Sequence, residues 1–168
     1  KLFALLMTAV LTVCLTLSAC NIYLTDASIP VEGTVTFVIA AEETTEYTAD
    51  LSKVQDAKNA FSVLQYVATE NKLDMNCTWS SYGAFVNTLG KIEYDDNYNA
   101  DYKKYLNPNS EKHEFITIYT SVEKDFDVSG TMGDPITYKE KTLKPSGLGI
   151  SSMSLEDGAI VYFTIATW

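Results

Sequence analysis

Four tyrosines, Tyr94, Tyr98, Tyr102 and Tyr105, follow one another at intervals of four, four and three, with Asp95, Asp96 and Asp101 between them. On a helix that spacing makes one stripe. Flat apolar rings with hydrogen-bonding tips beside carboxylates suit a platform for a glycan or peptide ligand; packing an insertion onto a sheet calls for the same residues. Tyr98, Tyr102 and Tyr105, together with Tyr82, are the candidate ligand-binding residues. Asp95-x-Asn97-x-Asn99-x-Asp101 puts oxygen ligands at alternate positions, as a Ca²⁺ loop does. Ala100 stands where the sharp turn wants Gly, and Leu106 where the bidentate Glu belongs, so no metal site is expected.

The remaining reactive side chains form no catalytic set. His113, the single histidine, lies between Glu111 and Glu114 and reads as solvated. Leu73, Met75, Cys77 and Trp79 alternate with Asp74, Asn76 and Thr78, so Cys77 shares one face of an expected strand with Leu, Met and Trp. With no neighbouring cation to lower its pKa, it reads as a small buried hydrophobe. Gly147 and Gly149 are followed by no Lys-Ser/Thr and do not make a phosphate loop. No enzyme activity and no cofactor are expected.

Cys20 carries a different chemistry. Leu2 to Leu17 is apolar without one charge and ends in Leu17-Ser18-Ala19-Cys20. The pattern resembles the lipobox of bacterial lipoproteins, in which the chain is cut before a cysteine that is then acylated. Residues 1–19 are thus expected as a cleavable signal peptide, Cys20 as the lipidation site, and 20–32, polar and holding Asp26, Ser28 and Pro30, as a tether. A retained membrane anchor is the other reading; either puts the body at the outer face of the cell membrane. Two or more acyl chains hold a protein stably at a bilayer.

Of the 168 residues, 149 remain once the first 19 are removed, the size of one domain. Hydrophobic residues at 46% suit a folded core. The chain has formal charge −10, and every one of its 12 cations is Lys. Neutralising phosphates needs clustered cations, so nucleic acid is not an expected partner. Cys77 is the one thiol beyond Cys20, so the body can form no internal disulfide.

These side chains sit on elements that hydrophobic periodicity marks out. Val35, Phe37 and Ile39 alternate with polar or lesser positions, and Tyr47, Ala49 and Leu51 resume the alternation after Glu42–Thr45, predicting a hairpin. Ala60, Phe61, Leu64, Val67 and Ala68 form a helical stripe, with Asp56 or Asn59 able to cap its start and Asn71-Lys72 its end. Leu73 to Trp79 reads as a third strand; Ala84 to Leu89 suits strand or helix. Phe115–Tyr119 and Ile136–Leu143 are β-rich, and Ala159–Ile165, apolar on both faces, predicts a central strand. This order is α+β: one helix packed across a mixed or antiparallel sheet.

Tyr82-Gly83-Ala84-Phe85-Val86-Asn87-Thr88-Leu89-Gly90 resembles the Tyr-Gly-x-Phe-Val/Ile-x-x-Ile-x-Gly signature of a bacterial domain of unknown function related to the C-terminal β-domain of transcobalamin. Phe115 to Ser121 is similar to that family's next strand. Thr137–Leu143, Gly147–Ser151 and Leu155–Ala159 are similar to its closing half. The resemblance runs from about Gly33 to Ile165 and implies a β-grasp-like domain, 33–168, on a Gram-positive surface lipoprotein. It departs where many members carry a Trp before the middle strand and Asn-Gly after it; here the strand begins His113-Glu114-Phe115 and ends Thr120-Ser121. In transcobalamin the β-domain closes over cobalamin held by a large helical barrel, for which this chain has no room. Cobalamin-related binding is implied at most as that of an accessory domain.

The expected partners are therefore the membrane, through Cys20, and an unidentified extracellular ligand or cell-surface protein. Two functions compete: a ligand-binding module and an adhesion or scaffold module acting by protein–protein contact. A concave apolar pocket with a few polar groups marks the first, an exposed flat patch the second.

Overall fold

The computed structural model describes residues 27–55, 57–80 and 83–168. Cys20 and the proposed signal segment, together with Asp56 and Tyr82, lie outside the described residues. The chain opens with the expected hairpin, β1 (Thr34–Ala40) and β2 (Thr44–Asp50), paired antiparallel from Thr34 opposite Asp50 to Ala40 opposite Thr44. One α-helix follows, α1 (Ala60–Asn71), then β3 (Asp74–Ser80), β4 (Gly83–Tyr94) and β5 (Ala100–Leu106). The closing half supplies β6 (Glu114–Thr120), β7 (Ile136–Tyr138), β8 (Lys141–Pro145) and β9 (Ala159–Thr167).

These strands make two sheets among the described residues. Six form a mixed sheet in the order β2-β1-β9-β6-β8-β7, and three form an antiparallel sheet in the order β3-β4-β5. The last strand lies at the centre of the larger sheet, parallel to β1 and antiparallel to β6. Its apolar character on both faces is the cause. Val161 and Phe163 are fully buried on one face, while Ile160 joins Val38 and Leu143 on the other. Ile136–Leu143, expected as a strand pair or a bent strand, is the β7–β8 hairpin.

The main core fills the space between the larger sheet and a second layer made of α1 and the three-stranded sheet. Val35, Phe37 and Ile39 of β1 meet Val63, Leu64 and Val67 of α1, with Ala84, Val86 and Leu89 of β4 and Leu106 of β5 in the same cluster. The helix begins where its sequence can satisfy the first backbone donors. Asn59 Oδ1 accepts the Ser62 N–H at 3.0 Å and Ser62 Oγ accepts the Asn59 N–H at 3.1 Å, a reciprocal capping box. It ends at Lys72, left-handed at φ 55°, whose N–H donates to the Ala68 and Thr69 carbonyls.

Within the segment read as a tether, Ser28 and Ile29 are joined to the body. The Ser28 N–H donates to Ser154 Oγ at 2.9 Å, the Leu155 N–H donates to the Ser28 carbonyl at 3.0 Å, and Ile29 packs on the core. On the opposite face of the larger sheet, Tyr138 donates to Glu46 Oε1 at 2.6 Å. Burial and the Glu46 carboxylate together push the Tyr138 hydroxyl up to about 12.

Candidate functional site: a cleft between two open strand edges

The tyrosine stretch is a hairpin and not a helix. Tyr94 ends β4, Tyr98 lies in the turn with φ 62°, and Tyr102 and Tyr105 are on β5. The cause is Asp95. Its Oδ1 accepts the Asn97 and Asn99 N–H groups, both at 2.8 Å, and its Oδ2 accepts the Asn99 side-chain amide at 2.9 Å. An Asp that binds its own downstream backbone favours a turn over a helix. The residues considered for a Ca²⁺ loop therefore build this turn, and these hydrogen bonds hold the Asp95 carboxyl below the usual carboxylate range.

Tyr102 and Tyr105 do come together, by a route the helical stripe does not describe. Pairing passes from Lys91 opposite Lys104 to Glu93 opposite Asp101, so β5 carries one extra residue there. That bulge lets two side chains three apart share a face, and the rings stand 5.9 Å apart. Tyr105 donates to Asp74 Oδ1 at 2.9 Å, whereas Tyr94 and Tyr98 point into solvent, Tyr98 88% exposed. The hairpin is thus an exposed aromatic arm. Cys77 is on β3 as expected but half-buried rather than buried, because Trp79 on the same face is exposed. Its partial burial still pushes the thiol up, which keeps thiolate scarce at neutral pH. His113 is exposed, with its ring 5.6 Å from that of Trp168.

None of these tyrosines lines the apolar cleft that lies between the two sheets. A cleft of about 750 Å³ opens between β4 and β6, with Phe85 and Asn87 on one side and Glu114 to Ile118 on the other. Leu148, Met132 and Trp168 extend its apolar wall. The Trp168 indole lies 5.4 Å from the Phe115 ring, and Phe85 is half exposed. Among the described residues Glu114 is the one charged side chain of the lining, and its Oε2 accepts the Asn109 N–H at 2.8 Å.

The cleft exists because both strands stop pairing along it. β6 pairs with β9 over its whole length, but with β8 only at Tyr119 and Thr120. β4 pairs with β3 from Gly83, but with β5 only from Leu89 onward. Backbone direction follows from the bonds at the ends of each open segment. The Ile118 carbonyl accepts the Ser146 N–H at 2.8 Å on the side away from β9, and the Glu114 N–H donates to the Asn109 carbonyl at 3.1 Å on that same side. Alternation then directs the Ile116 N–H and C=O away from β9, into the cleft. On β4 the Ala84 N–H leaves β3 and donates to Ser151 Oγ at 2.9 Å, so the Val86 backbone groups leave it too. Neither Ile116 nor Val86 has a ladder partner on its open side among the described residues.

One buried acid holds the floor. Asp125, 3% exposed, accepts the Ser154 N–H on Oδ2 at 2.6 Å, and its carbonyl accepts the Gly147 N–H at 3.0 Å. Ser146 Oγ in turn donates to the Leu148 carbonyl at 3.0 Å, shaping the 146–149 loop beneath the cleft. Burial pushes the Asp125 carboxyl up, against the Ser154 hydrogen bond and the Lys124 charge. An acid raised in the folded state binds its proton more tightly there than when unfolded. Its charge therefore weakens the fold at neutral pH, and this weakening is relieved as pH falls through the raised folded value towards the ordinary carboxylate range. Asp125→Asn keeps the acceptor and should remove that part of the pH dependence, while Asp125→Ala should lose roughly 1–3 kcal/mol by orphaning the Ser154 N–H. Urea unfolding of both variants between pH 4 and 8 measures it; an unaltered pH profile in Asp125→Asn would exclude this role.

No family model matches the sequence, and no curated protein matches it. Among solved structures, the chain is similar to haptocorrin, solved in complex with Cbi, at 12% identity and a TM-score of 0.44. The match covers 79% of this chain and 25% of haptocorrin.

Proposed function

We propose that the chain is a non-enzymatic binding module, held at the outer face of the cell membrane by lipid on Cys20, whose ligand enters the cleft between β4 and β6. The cleft itself carries the reading. Its volume of about 750 Å³ is in the range of ligand sites, and its wall is mostly apolar with Asn87, Thr117, Glu114 and three serines as polar groups. A concave site of this kind favours a captured ligand over a flat adhesive patch. The hairpin β1–β2, the helix over one face and the parallel central pair β1 and β9 support a β-grasp-like core, with β3–β5 added to it.

Phe115→Ala removes an aromatic wall of the cleft without touching the buried core. It should weaken binding of a neutral apolar dye such as Nile red by about tenfold or more, with the unfolding midpoint little changed. Dye fluorescence titration and urea unfolding, run on the same preparation, test this together. Equal dye affinity in the variant would remove the cleft as the site. The anchor has its own test. A clickable fatty acid fed to expressing cells should label the protein and fail to label Cys20→Ala; label surviving that change would sink the lipoprotein reading.

A further inference from the structure

We propose that the cleft is a strand acceptor, taking an extended apolar peptide that bears an ammonium group near one end. This deepens the binding reading above and rests on it. An open strand edge presents backbone donors and acceptors that a third strand completes. Here two such edges line one cleft, the Val86 segment of β4 and the Ile116 segment of β6. Ile116 is half-buried, and its outward main-chain groups face the cleft without a ladder partner among the described residues. A peptide laid along one of these edges would pair with Ile116 or with Val86.

Side chains say which peptide. Glu114 to Ile118 spans roughly 17 Å as extended chain, room for about five residues. Phe85, Phe115, Leu148 and Trp168 offer apolar surface to alternate side chains of an inserted strand. Among the described residues Glu114 is the single charged side chain of the lining and no Lys joins it, while the chain as a whole carries −10. That field repels acidic peptides and favours a Lys side chain or free amino terminus beside Glu114. A flat hydrophobic small molecule would make no use of the backbone groups, and an acidic peptide would meet the wrong charge.

The test separates backbone pairing from simple apolar capture. The full chain, reconstituted in nanodiscs, is titrated with capped Lys-Val-Thr-Val-Thr and with the same peptide N-methylated on both valines. Methylation removes amide donors and leaves the side chains. The parent peptide should bind about tenfold or more tightly than the methylated one and slow amide exchange at Ile116 or Val86. Glu114→Gln should weaken the parent roughly three- to fivefold and leave a Gln-for-Lys peptide unaffected. Equal affinity of the two peptides overturns strand addition. Nile red binding without peptide binding overturns it as well, yet leaves the binding module standing; no binding of either probe brings down both. Peptide binding that appears only after deletion of residues 21–26 would identify the chain's own segment as the occupant and overturn a foreign strand.

Discussion

Gly90→Ala will lower the unfolding free energy by roughly 3–4 kcal/mol. Two independent penalties meet at this residue. Its φ is +140°, a backbone conformation that side chains other than glycine's rarely adopt. A Cβ built there would also lie 2.1 Å from the Lys104 carbonyl oxygen and 2.8 Å from Tyr105 Cα. Both are backbone atoms of the facing strand, which cannot swing aside as a side-chain tip could. Gly90 stands opposite Asp74 on β3 and Tyr105 on β5, so relief requires parting the three-stranded sheet at its middle. The Tyr105 to Asp74 hydrogen bond joins the two outer strands at that place and should fail with it. Gly130→Ala is the control. It too has positive φ, +68°, but nothing lies within 4 Å of its Cβ, so only conformational strain remains, about 1 kcal/mol. Urea unfolding of the pair decides the matter: equal losses would show that the close approach of Lys104 contributes nothing.

Much of this fold is legible in the sequence because its signals are local. The hairpin, the helix from Ala60 with its Asn59 cap, and the doubly apolar β9 all follow from spacing within a dozen residues. The tyrosine arm is misread as helix because a three-and-four spacing speaks only for a helix that exists. Asp95 and Asn99 close a turn first, and a bulge then imitates helical proximity for Tyr102 and Tyr105. The open choice at Ala84–Leu89 resolves as strand because Ala84, Val86 and Leu89 all reach the core from an extended, bulged β4.

The cleft is the least legible feature. It depends on where pairing stops, at Leu89 on β4 and at Tyr119 on β6, two positions thirty residues apart whose register no local pattern sets. One signal was present. Phe115, Thr117 and Tyr119 alternate with Ile116 and Ile118, so β6 carries large apolar groups on both faces, as a strand does whose outer face also has something to meet. Trp168, which stands against Phe115 to complete the wall, belongs to no motif at all.

Phe163→Ala should cost about 3–5 kcal/mol, the transfer energy of the ring together with the cavity it leaves. The ring is fully buried and stacks on Phe37, with centroids 6.4 Å apart and planes 22° from parallel. Its position makes the cavity hard to fill. Phe163 lies opposite Ile39 on one side and Ile118 on the other, inside paired strands whose backbones are fixed by their ladders. A domain of this size is stable by only about 5–15 kcal/mol, so a loss of that size should lower the melting temperature by roughly 10–20 °C. Trp79→Ala provides the contrast: that ring is 60% exposed and touches the body edge-on at Phe61, and its loss should cost well under half as much. The same experiment bears on the cleft. β6 is held in register along its whole length by β9, and the cleft is the other edge of β6. Phe163→Ala should therefore lose dye binding only as the fold itself melts, in one transition, whereas Phe115→Ala loses binding with the fold intact. A cleft lost well before unfolding in Phe163→Ala would mean that β6 detaches from β9 independently, and that the site is not built on the central strand.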